Sequence, residues 1–369
     1  MPDLSISHRT RSTPFADRIM AAGAKAFTVY NHMLLPTVFR SIEEDYHHLK
    51  RAVQIWDVSC ERQVELIGPD AKRLAQLMTP RDLSRQAIGK CLYTPICDAN
   101  GHLLNDPVSI KLAEDRYWIS VADSDVILFA KGLAAGLGLN VSVWEPEIFP
   151  VAVQGPKSDA LMARVFGESI TTTPFFGTQT REFSGRDHLI ARSGYSGQGG
   201  YEIYVDGPLV GLELWDALME AGQDLDVHAG CPNLIERIES GLLSYGNDIS
   251  SDHTLAEAGL MRFCKTISPD CIANNALSNM GEPKRQLRYL SLDGDAMSPL
   301  SRTMQIDCEG QKVGQITSAV WSPDFATNVA IGMIDVAALG AESHLVAENG
   351  NRTVTVLTGP ISMTQRKAA

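Results

Sequence analysis

The character of the chain changes near residue 280, and this change limits the fold more than any other feature. Before that point, helical patterns alternate with strand-like runs. After it, four short runs rich in β-branched residues are separated by Gly, Pro and Asn: RYLSLDG, KVGQITSAVWS, NVAIGMIDV and SHLVAENGNRTVTVLTG. Such spacing is typical of a small antiparallel barrel or sandwich. The sequence therefore predicts an α+β fold up to this point and an all-β domain after it.

Gly-Pro steps organise the α+β region. The segments QVELIGP (63–69) and FPVAVQGP (149–156) each predict a strand that leads through Gly-Pro into a helix. This repeated pattern indicates two related α+β parts. We therefore expect domains at residues 1–150, 151–280 and 281–369.

Two further helices are predicted in this region by short motifs. Ser41 and Glu44 form a capping-box pattern, which predicts a helix over residues 41–54. The segment NLIERIESGLLSYG predicts another helix, which we expect to end at Gly246 because glycine is common just past a helix terminus.

Composition and charge argue against several classes of protein. The 369 residues carry 32 Lys and Arg against 44 Asp and Glu, a net charge of −12, without the basic runs that bind nucleic acid. No apolar run reaches the ~18 residues that a membrane span needs. The N-terminal segment MPDLSISHRTRSTPF lacks the apolar stretch of a secretory signal. We expect a cytoplasmic protein with neither nucleic-acid nor membrane partners.

Generic catalytic and metal-binding motifs are not found. The seven cysteines include no CxxC pair and the nine histidines no HExxH motif, so we expect no metal. The glycine-rich segment GYSGQGG (194–200) lacks the lysine of a phosphate-binding loop and the closing glycine of a nucleophile elbow. These motifs therefore leave the activity open.

Longer strings carry a family resemblance. IWDVSCERQVELIGPDA, LNDPVSIKL, ARSGYSGQGGYEIYV, NLIERIESGLLSYGND and GQITSAVWSPDF follow one another in the order seen in tetrahydrofolate-dependent aminomethyltransferases, the glycine-cleavage T-protein family. Within that family, NHMLLP, SCERQV, NDP and QGGYE resemble the dimethylsulfoniopropionate demethylases. The resemblance implies a three-domain disc around a central folate channel, with an all-β C-terminal domain.

The resemblance also implies a reaction. A methyl group would move from dimethylsulfoniopropionate, or a close onium analogue, to N5 of tetrahydrofolate, giving 5-methyltetrahydrofolate and methylmercaptopropionate. A sulfonium methyl is already electrophilic, so the protein mainly has to align the reactants and exclude water. The partners implied are a small onium substrate and folate, and a homodimer is also considered.

Particular residues match the family's functional positions. Asp106 of LNDP would be the catalytic carboxylate that stabilises the substrate cation or orients the pterin; its alternative is an ordinary turn residue before proline. Glu202 would accept two N–H donors from the pterin in a charge-assisted pair. An aromatic face attracts an onium by roughly 0.5–2 kcal/mol. The implied folate-binding residues are Tyr93, Phe176, Glu202 and Arg237, and the implied substrate-binding residues are Tyr195 and Tyr204.

Three of these assignments have structural alternatives. Tyr93 and Phe176 would equally suit an apolar core. Arg237 would pair either with the folate or with Glu239, and a surface salt bridge on a helix is its other interpretation.

Departures from the demethylase pattern keep other functions open. Tyr195 stands where those enzymes carry Trp, and Gly197 replaces a lysine. Because T-protein also has Tyr at the first position, Tyr195 favours the alternative of an aminomethyltransferase or a demethylase of a methylated amine such as glycine betaine or dimethylglycine. A folate-binding regulatory protein without catalysis is a third hypothesis, against which Asp106 and Glu202 argue.

Overall fold

A computed structural model describes residues 7–347 and 351–364. The chain divides into two compact units built from interleaved segments. The first unit takes its residues from Met1–Leu74, Arg85–Tyr93 and Pro107–Asn233, and the second from Ala75–Ser84, Thr94–Asp106 and Leu234–Ala369. The three domains expected from the sequence, with boundaries at 150 and 280, stay a prediction.

Short helices are spread along the whole chain. They are α1 (Ala16–Ala21), α2 (Ile42–Arg51), α3 (Ala71–Met78), α4 (Val126–Gly136), α5 (Ser158–Phe166), α6 (Pro208–Ala221), α7 (Leu234–Ser240), α8 (Asn274–Ser278) and α9 (Ile361–Thr364). Within the described ranges, none of the helices combines the length and the apolar character required to cross a lipid bilayer.

Strands make up most of the regular structure. They are β1 (Ala26–Tyr30), β2 (Met33–Val38), β3 (Val53–Asp57), β4 (Gln63–Ile67), β5 (Cys91–Tyr93), β6 (Ile96–Cys97), β7 (Leu103–Asn105), β8 (Val108–Ala113), β9 (Arg116–Ser120), β10 (Ser142–Trp144), β11 (Ile148–Gln154), β12 (Thr178–Phe183), β13 (Arg186–Ala191), β14 (Gly200–Asp206), β15 (Val227–Gly230), β16 (Arg285–Leu292), β17 (Met304–Cys308), β18 (Gln311–Ser322), β19 (Thr327–Asp335), β20 (Leu345–Ala347) and β21 (Arg352–Val356).

The first unit contains a six-stranded sheet, ordered β12-β13-β14-β11-β3-β15. Its neighbours pair antiparallel except for β15, which runs parallel to β3. One face packs against α5 and α6 in a large apolar core that includes Val151, Ile203, Leu161 and Trp215. The opposite face is therefore available for other contacts.

That opposite face contacts a second sheet of the first unit, ordered β10-β4-β9-β8-β5. Cys91, Ile110 and Trp118 from this five-stranded sheet form one apolar cluster with Ala191 and Tyr204 from the six-stranded sheet. The two sheets of the first unit are thus held face to face by side chains that alternate along their strands.

In the second unit, the strands after residue 280 form a closed six-stranded barrel, ordered β16-β19-β18-β17-β20-β21. Inward-facing side chains such as Leu290, Ile306, Ile316 and Val354 fill its core. The expected all-β C-terminal region is confirmed. Because the sheet closes on itself, this region is a barrel and not a sandwich.

Local signals in the α+β region are largely confirmed. The Ser41 hydroxyl accepts a hydrogen bond from the Glu44 amide, 3.1 Å away, at the start of α2. Both Gly-Pro steps join a strand to a helix, β4 to α3 and β11 to α5.

One helix end was predicted wrongly. The helix expected to continue to Gly246 ends with α7 at Ser240. Gly241 adopts φ +73°, in the left-handed region, and the Leu242 amide returns to the Arg237 carbonyl at 2.8 Å. This is a glycine-terminated helix end, and it occurs at the first glycine of the segment instead of the second.

A buried histidine, His48 on α2, connects three parts of the first unit. The Trp56 indole donates to Oε1 of Gln54, which fixes the Gln54 amide so that its Nε2 donates to Nδ1 of His48 at 3.2 Å. Nε2 of His48 therefore carries the hydrogen that bonds the Asp226 carbonyl at 2.9 Å. Burial, aided by the nearby His228 and Arg40, lowers the pKa of His48 to about 4. His48 is thus neutral in the folded protein at neutral pH.

We expect His48 to make stability depend on pH. Its pKa lies below the usual ~6.5, so between about pH 6.5 and 4 the unfolded chain binds a proton that the folded chain does not. Stability is complete above this window and falls as the pH is lowered through it, by up to ~1.4 kcal/mol per pH unit. Urea unfolding at several pH values should show a shallower dependence in His48→Gln. The exposed neighbour provides the control His47→Gln, and equal slopes in all three proteins would refute the assignment.

Candidate functional site

Strand β14 carries two of the predicted site residues on one face. Tyr201, Ile203 and Val205 point into the helix-covered core. Because side chains alternate along a strand, Glu202 and Tyr204 point to the other face, toward the five-stranded sheet. The strand therefore places a carboxylate and a phenol side by side between the sheets of the first unit.

Glu202 is a buried carboxylate, with 9% of its surface exposed. The Ser193 hydroxyl donates a short hydrogen bond to its Oε2. Burial raises the pKa of Glu202, whereas the bond from Ser193 lowers it. A carboxylate held in this way retains acceptor capacity and is oriented before any ligand arrives.

Small side chains flank Glu202 across the sheet. Ala152 of β11 lies opposite Glu202, and Trp56 of β3 lies opposite Ala152. On the other side Ala191 of β13 is the register partner of Glu202. Two methyl groups therefore border the carboxylate, so the neighbouring side chains leave its edge uncrowded.

Tyr195, in the GYSGQGG segment, packs against the cluster formed by Leu49, Trp56, Val58 and Ala152. The ring is partly exposed, whereas Trp56 behind it is fully buried. Ala152, the register partner of Glu202, belongs to this cluster, so Tyr195 packs against a cluster that also borders Glu202 in the first unit.

Tyr204 is enclosed, with 2% of its surface exposed. Its ring lies 5.7 Å from that of Trp118, and its hydroxyl bonds Ser120. Burial, followed by the charge of Glu202, raises the pKa of Tyr204. Its assignment to substrate binding stays a prediction, because the structure shows this side chain as part of the apolar cluster between the sheets.

Two aromatics were predicted for the folate site, and one of them, Phe176, lies along this cluster. Phe176 packs against it and has φ +57°, an uncommon conformation for a bulky residue. Its carbonyl accepts from the Cys91 amide at 2.9 Å, and its amide donates to the Arg192 carbonyl at 2.9 Å. Tyr93 ends β5, opposite Val108 of β8.

The remaining predicted residues, Asp106 and Arg237, belong to the second unit. Asp106 is partly buried and directly follows β7, whose last residue, Asn105, is fully buried and pairs with Ile96. The catalytic assignment of Asp106 stays a prediction.

Arg237 forms a buried network within the second unit, with 7% of its surface exposed. It donates from Nη1 to Oδ2 of Asp248 at 2.8 Å and from Nη2 to the Ser318 hydroxyl at 2.7 Å. Asp248 also accepts from Ser318 and Thr317. The surface salt bridge considered for Arg237 is therefore wrong, while its folate-binding role stays a prediction.

One group of three side chains in the described part of the chain could share a metal ion: His48, Asp226 and His228, whose ligand atoms lie within 4.8 Å of one another. Hydrogen bonds occupy both ring nitrogens of His48, and the Arg40 guanidinium contacts Nδ1 of His228. That cation opposes a metal. A surface cavity of about 540 Å³ is lined by Asp226 and His228 and by none of the predicted site residues. The expectation of no metal stays a prediction.

Comparison with known proteins assigns the family. Residues 15–267 match the model of the GCVT N-terminal domain, and residues 285–361 match the glycine cleavage T-protein C-terminal barrel domain. This chain belongs to the glycine cleavage T-protein family. The barrel match coincides with the closed barrel of the second unit.

Individual members of the T-protein family align along most of the chain. The dimethylsulfoniopropionate demethylase DmdA of Ruegeria pomeroyi is 49% identical over 363 residues, which cover 97% of this chain and 99% of that protein. An aminomethyltransferase of Caldanaerobacter subterraneus is 28% identical over 85% of this chain and 86% of its own length. The crystal structure of aminomethyltransferase T from Bartonella henselae has the same fold, with a TM-score of 0.83, 24% identity and coverage of 95% of this chain and 98% of that chain.

Two residues that contact the candidate site residues were missed by sequence reasoning: Ser193, which bonds Glu202, and Trp56, which belongs to the cluster against which Tyr195 packs. Ser193 directly precedes the glycine-rich segment 194–200, whose motifs were compared with a phosphate loop and a nucleophile elbow, and neither comparison includes position 193. Trp56 lies in β3, where every residue is buried, so the usual alternation that separates site face from core face is absent. Both positions depend on long-range pairing: β13 beside β14 brings Ser193 near Glu202, and β11 between β14 and β3 brings Trp56 opposite Ala152. No local pattern in the sequence indicates either.

We expect Arg237→Met to destabilise the second unit strongly. The variant leaves Asp248 buried without its cationic partner, and such losses cost about 3–5 kcal/mol. Arg285→Met is the matched control, since Arg285 pairs with Glu257 at 2.7 Å but is about one-third exposed, and surface pairs contribute about 1 kcal/mol or less. Urea unfolding of the full chain measures both. Equal losses would contradict the buried-network interpretation.

Proposed function

We propose that this protein is a tetrahydrofolate-dependent demethylase that acts on dimethylsulfoniopropionate or a close onium analogue. A methyl group moves to N5 of tetrahydrofolate, and the products are 5-methyltetrahydrofolate and methylmercaptopropionate. The observation that carries this proposal is the similarity to the Ruegeria pomeroyi demethylase along nearly the whole chain, which is much greater than that to the aminomethyltransferases.

The residues around Glu202 suit a pterin. A pterin presents adjacent N–H donors on one flat edge, and a carboxylate accepts two of them in a charge-assisted pair. Glu202 is buried and held by Ser193, with Ala152 and Ala191 on either side. We assign Glu202 to orient the folate, with Tyr93, Phe176 and Arg237 as further folate-binding residues.

The methyl donor requires a cation-binding surface. Tyr195 offers a partly exposed ring that packs against the cluster containing Trp56, and Tyr204 is the second aromatic assigned to the donor. Asp106 is the carboxylate assigned to stabilise the cation or orient the pterin. These groups position the reactants rather than attack them.

The chemistry is a direct displacement. The S–CH₃ bond breaks with its electron pair retained by sulfur, so a cationic sulfonium becomes a neutral sulfide. When bound, tetrahydrofolate would supply the nucleophilic nitrogen N5, and the N5 proton replaced by the methyl group would pass to solvent. Alignment of donor and acceptor in a water-poor site can contribute ~7–11 kcal/mol to such a reaction.

The proposal also covers the cellular location, the partners and the assembly of the protein. We propose a cytoplasmic enzyme with small-molecule partners and without nucleic-acid or membrane partners. A homodimer is the assembly considered, and the division into domains at 1–150, 151–280 and 281–369 is retained as a proposal.

We expect methyl transfer from dimethylsulfoniopropionate to tetrahydrofolate under anaerobic conditions, measured as 5-methyltetrahydrofolate by mass spectrometry. Glycine betaine and dimethylglycine are offered in parallel, because Tyr195 favours a methylated amine as the second candidate. Asp106→Asn should reduce turnover sharply while the protein stays folded.

The outcomes separate the hypotheses. Product from the sulfonium alone supports the proposal. Product from an amine alone redirects the substrate, whereas folate binding without transfer from any of the three donors supports the regulatory alternative. Full activity in Asp106→Asn would refute the catalytic assignment of this carboxylate.

We expect Ser193→Ala to change the pH dependence of folate binding. The Ser193 hydroxyl stabilises ionised Glu202, so its loss raises the pKa of this carboxyl further above its ordinary value. Binding that needs the ionised form should therefore weaken at a higher pH than in the wild type. Binding titrations between pH 5 and 8 measure this shift.

Two variants complete this experiment. Glu202→Gln should weaken binding throughout, by roughly 10- to 150-fold for a lost charged hydrogen bond. The exposed Ser169→Ala in the same unit should leave the profile unchanged. If the profiles of Ser193→Ala and wild type coincide, Ser193 does not control Glu202.

A further inference from the structure

Gln154 is a fully buried glutamine at the end of β11. Its Oε1 accepts from the Ser196 hydroxyl at 2.7 Å. Its Nε2 donates to the carbonyls of Ser193, at 3.1 Å, and Tyr201, at 3.4 Å. One side-chain amide therefore bonds to both ends of the segment 193–201, at Ser193 and Tyr201, and to its middle, at Ser196.

The orientation of this amide is determined by its partners. Carbonyl oxygens only accept hydrogen bonds, so the nitrogen of Gln154 must face Ser193 and Tyr201. The oxygen is left for the Ser196 hydroxyl, which can donate. Every partner lies in the first unit, and all the bonds of the carboxamide are internal.

Two glycines of the GYSGQGG segment make room for Gln154. A Cβ on Gly194 would lie 2.0 Å from Nε2 of Gln154, and one on Gly200 would lie 2.5 Å from the same atom. Both distances are far below contact, so any other residue would displace the amide. Gly194 and Gly200, which resembled part of a phosphate loop, thus allow both ends of the segment 193–201 to lie against the Gln154 amide.

We propose that Gln154 is a positioning residue for the transfer reaction, because its carboxamide fixes the segment that presents Tyr195 and Glu202. This inference rests on the proposed function. Tyr195 lies between Ser193 and Ser196, two residues bonded to Gln154, and Glu202 directly follows Tyr201, the third. The Ser193 hydroxyl also donates to Glu202, so the hydrogen bonds that start at Gln154 continue through Ser193 to this carboxylate.

A positioning role suits the chemistry of this site. Gln154 is neutral, fully buried and has no acid or base function. Transfer between two small molecules depends on their alignment, and a misplacement of about 1 Å can cost on the order of 100-fold in rate. Because both ends and the middle of the segment 193–201 bond to one amide, replacing that amide should shift the segment and, with it, Tyr195 and Glu202.

The test uses Gln154→Glu, which keeps the shape but removes both Nε2 donors and places an oxygen against two carbonyls. Hydrogen–deuterium exchange of the full-length protein should be faster in residues 193–201. The kcat/KM for the methyl donor should fall by roughly 10- to 100-fold. Ser196→Ala removes one of the three hydrogen bonds of the Gln154 carboxamide, together with the bond that the Ser196 hydroxyl accepts from the Gln198 amide at 3.3 Å. It should show both effects to a smaller degree and serves if the first variant does not fold.

A matched control separates positioning from general stability. Gln76, in the second unit, is also buried, and its amide likewise bonds two carbonyls, those of Thr79 and Arg81, and one donor, the Leu83 amide. Gln76→Glu should lower the melting temperature without changing exchange in residues 193–201 or kcat/KM. Equal kinetic losses in Gln154→Glu and Gln76→Glu would overturn the inference.

Two other results would also overturn it: unchanged exchange in residues 193–201 of Gln154→Glu, or faster exchange with wild-type kinetics. If the wild type transfers no methyl group, the proposed function fails independently. In that case the role of Gln154 is tested by two measurements on Gln154→Glu: hydrogen–deuterium exchange in residues 193–201, and the Kd of tetrahydrofolate, which reports on the position of Glu202. Faster exchange with weaker folate binding supports the role, and no change in either refutes it.

Discussion

The alternation of side chains along β14 is the constraint on which the first unit depends. Tyr201, Ile203 and Val205 anchor the strand to the helices, and this fixes the intervening Glu202 and Tyr204 on the opposite face. A shift of one residue would bury the carboxylate in the helix-covered core, where it has no partner. The packing of one face therefore determines the chemistry of the other, and the site needs no irregular backbone to bring its carboxylate between the sheets.

Three buried polar side chains, Glu202, Gln154 and Arg237, are held by specific donors and acceptors. Glu202 has Ser193, Gln154 has two carbonyls and a hydroxyl, and Arg237 has Asp248 and Ser318. Each group lies where loss of a partner would leave an unsatisfied polar atom, which costs about 1–3 kcal/mol or more. This explains why these positions combine a functional interpretation with a structural one: the same hydrogen bonds that make burial tolerable also define where the side chain points.

Local patterns predicted the elements well, because strand alternation, Gly-Pro steps and a serine cap act over a few residues. The strands after residue 280 were predicted to form either a barrel or a sandwich. Local sequence could not decide between the two, because closure depends on the pairing of β16 with β21, which are distant in the chain. The end of α7 was misplaced because two glycines were available and tertiary contacts selected Gly241. The partners of Arg237 lie 11 and 81 residues away, so no local pattern indicates them. Family resemblance indicated Glu202. The role of Gln154 could be recognised only in the folded structure, because it depends on the approach of β11 to the segment 193–201.

The two departures from the demethylase pattern act in opposite directions on a cationic donor. Tyr attracts an onium less than Trp does, by a fraction of the roughly 0.5–2 kcal/mol that such a contact contributes. Gly197 removes a lysine, whose repulsion of a cation several ångströms away at the protein surface would be on the order of 1 kcal/mol. The losses and gains are therefore of similar size, and Tyr195 is supported from behind by the cluster that contains Trp56. A sulfonium donor is consistent with both changes taken together, because the removal of a nearby positive charge offsets the weaker attraction of the Tyr195 ring.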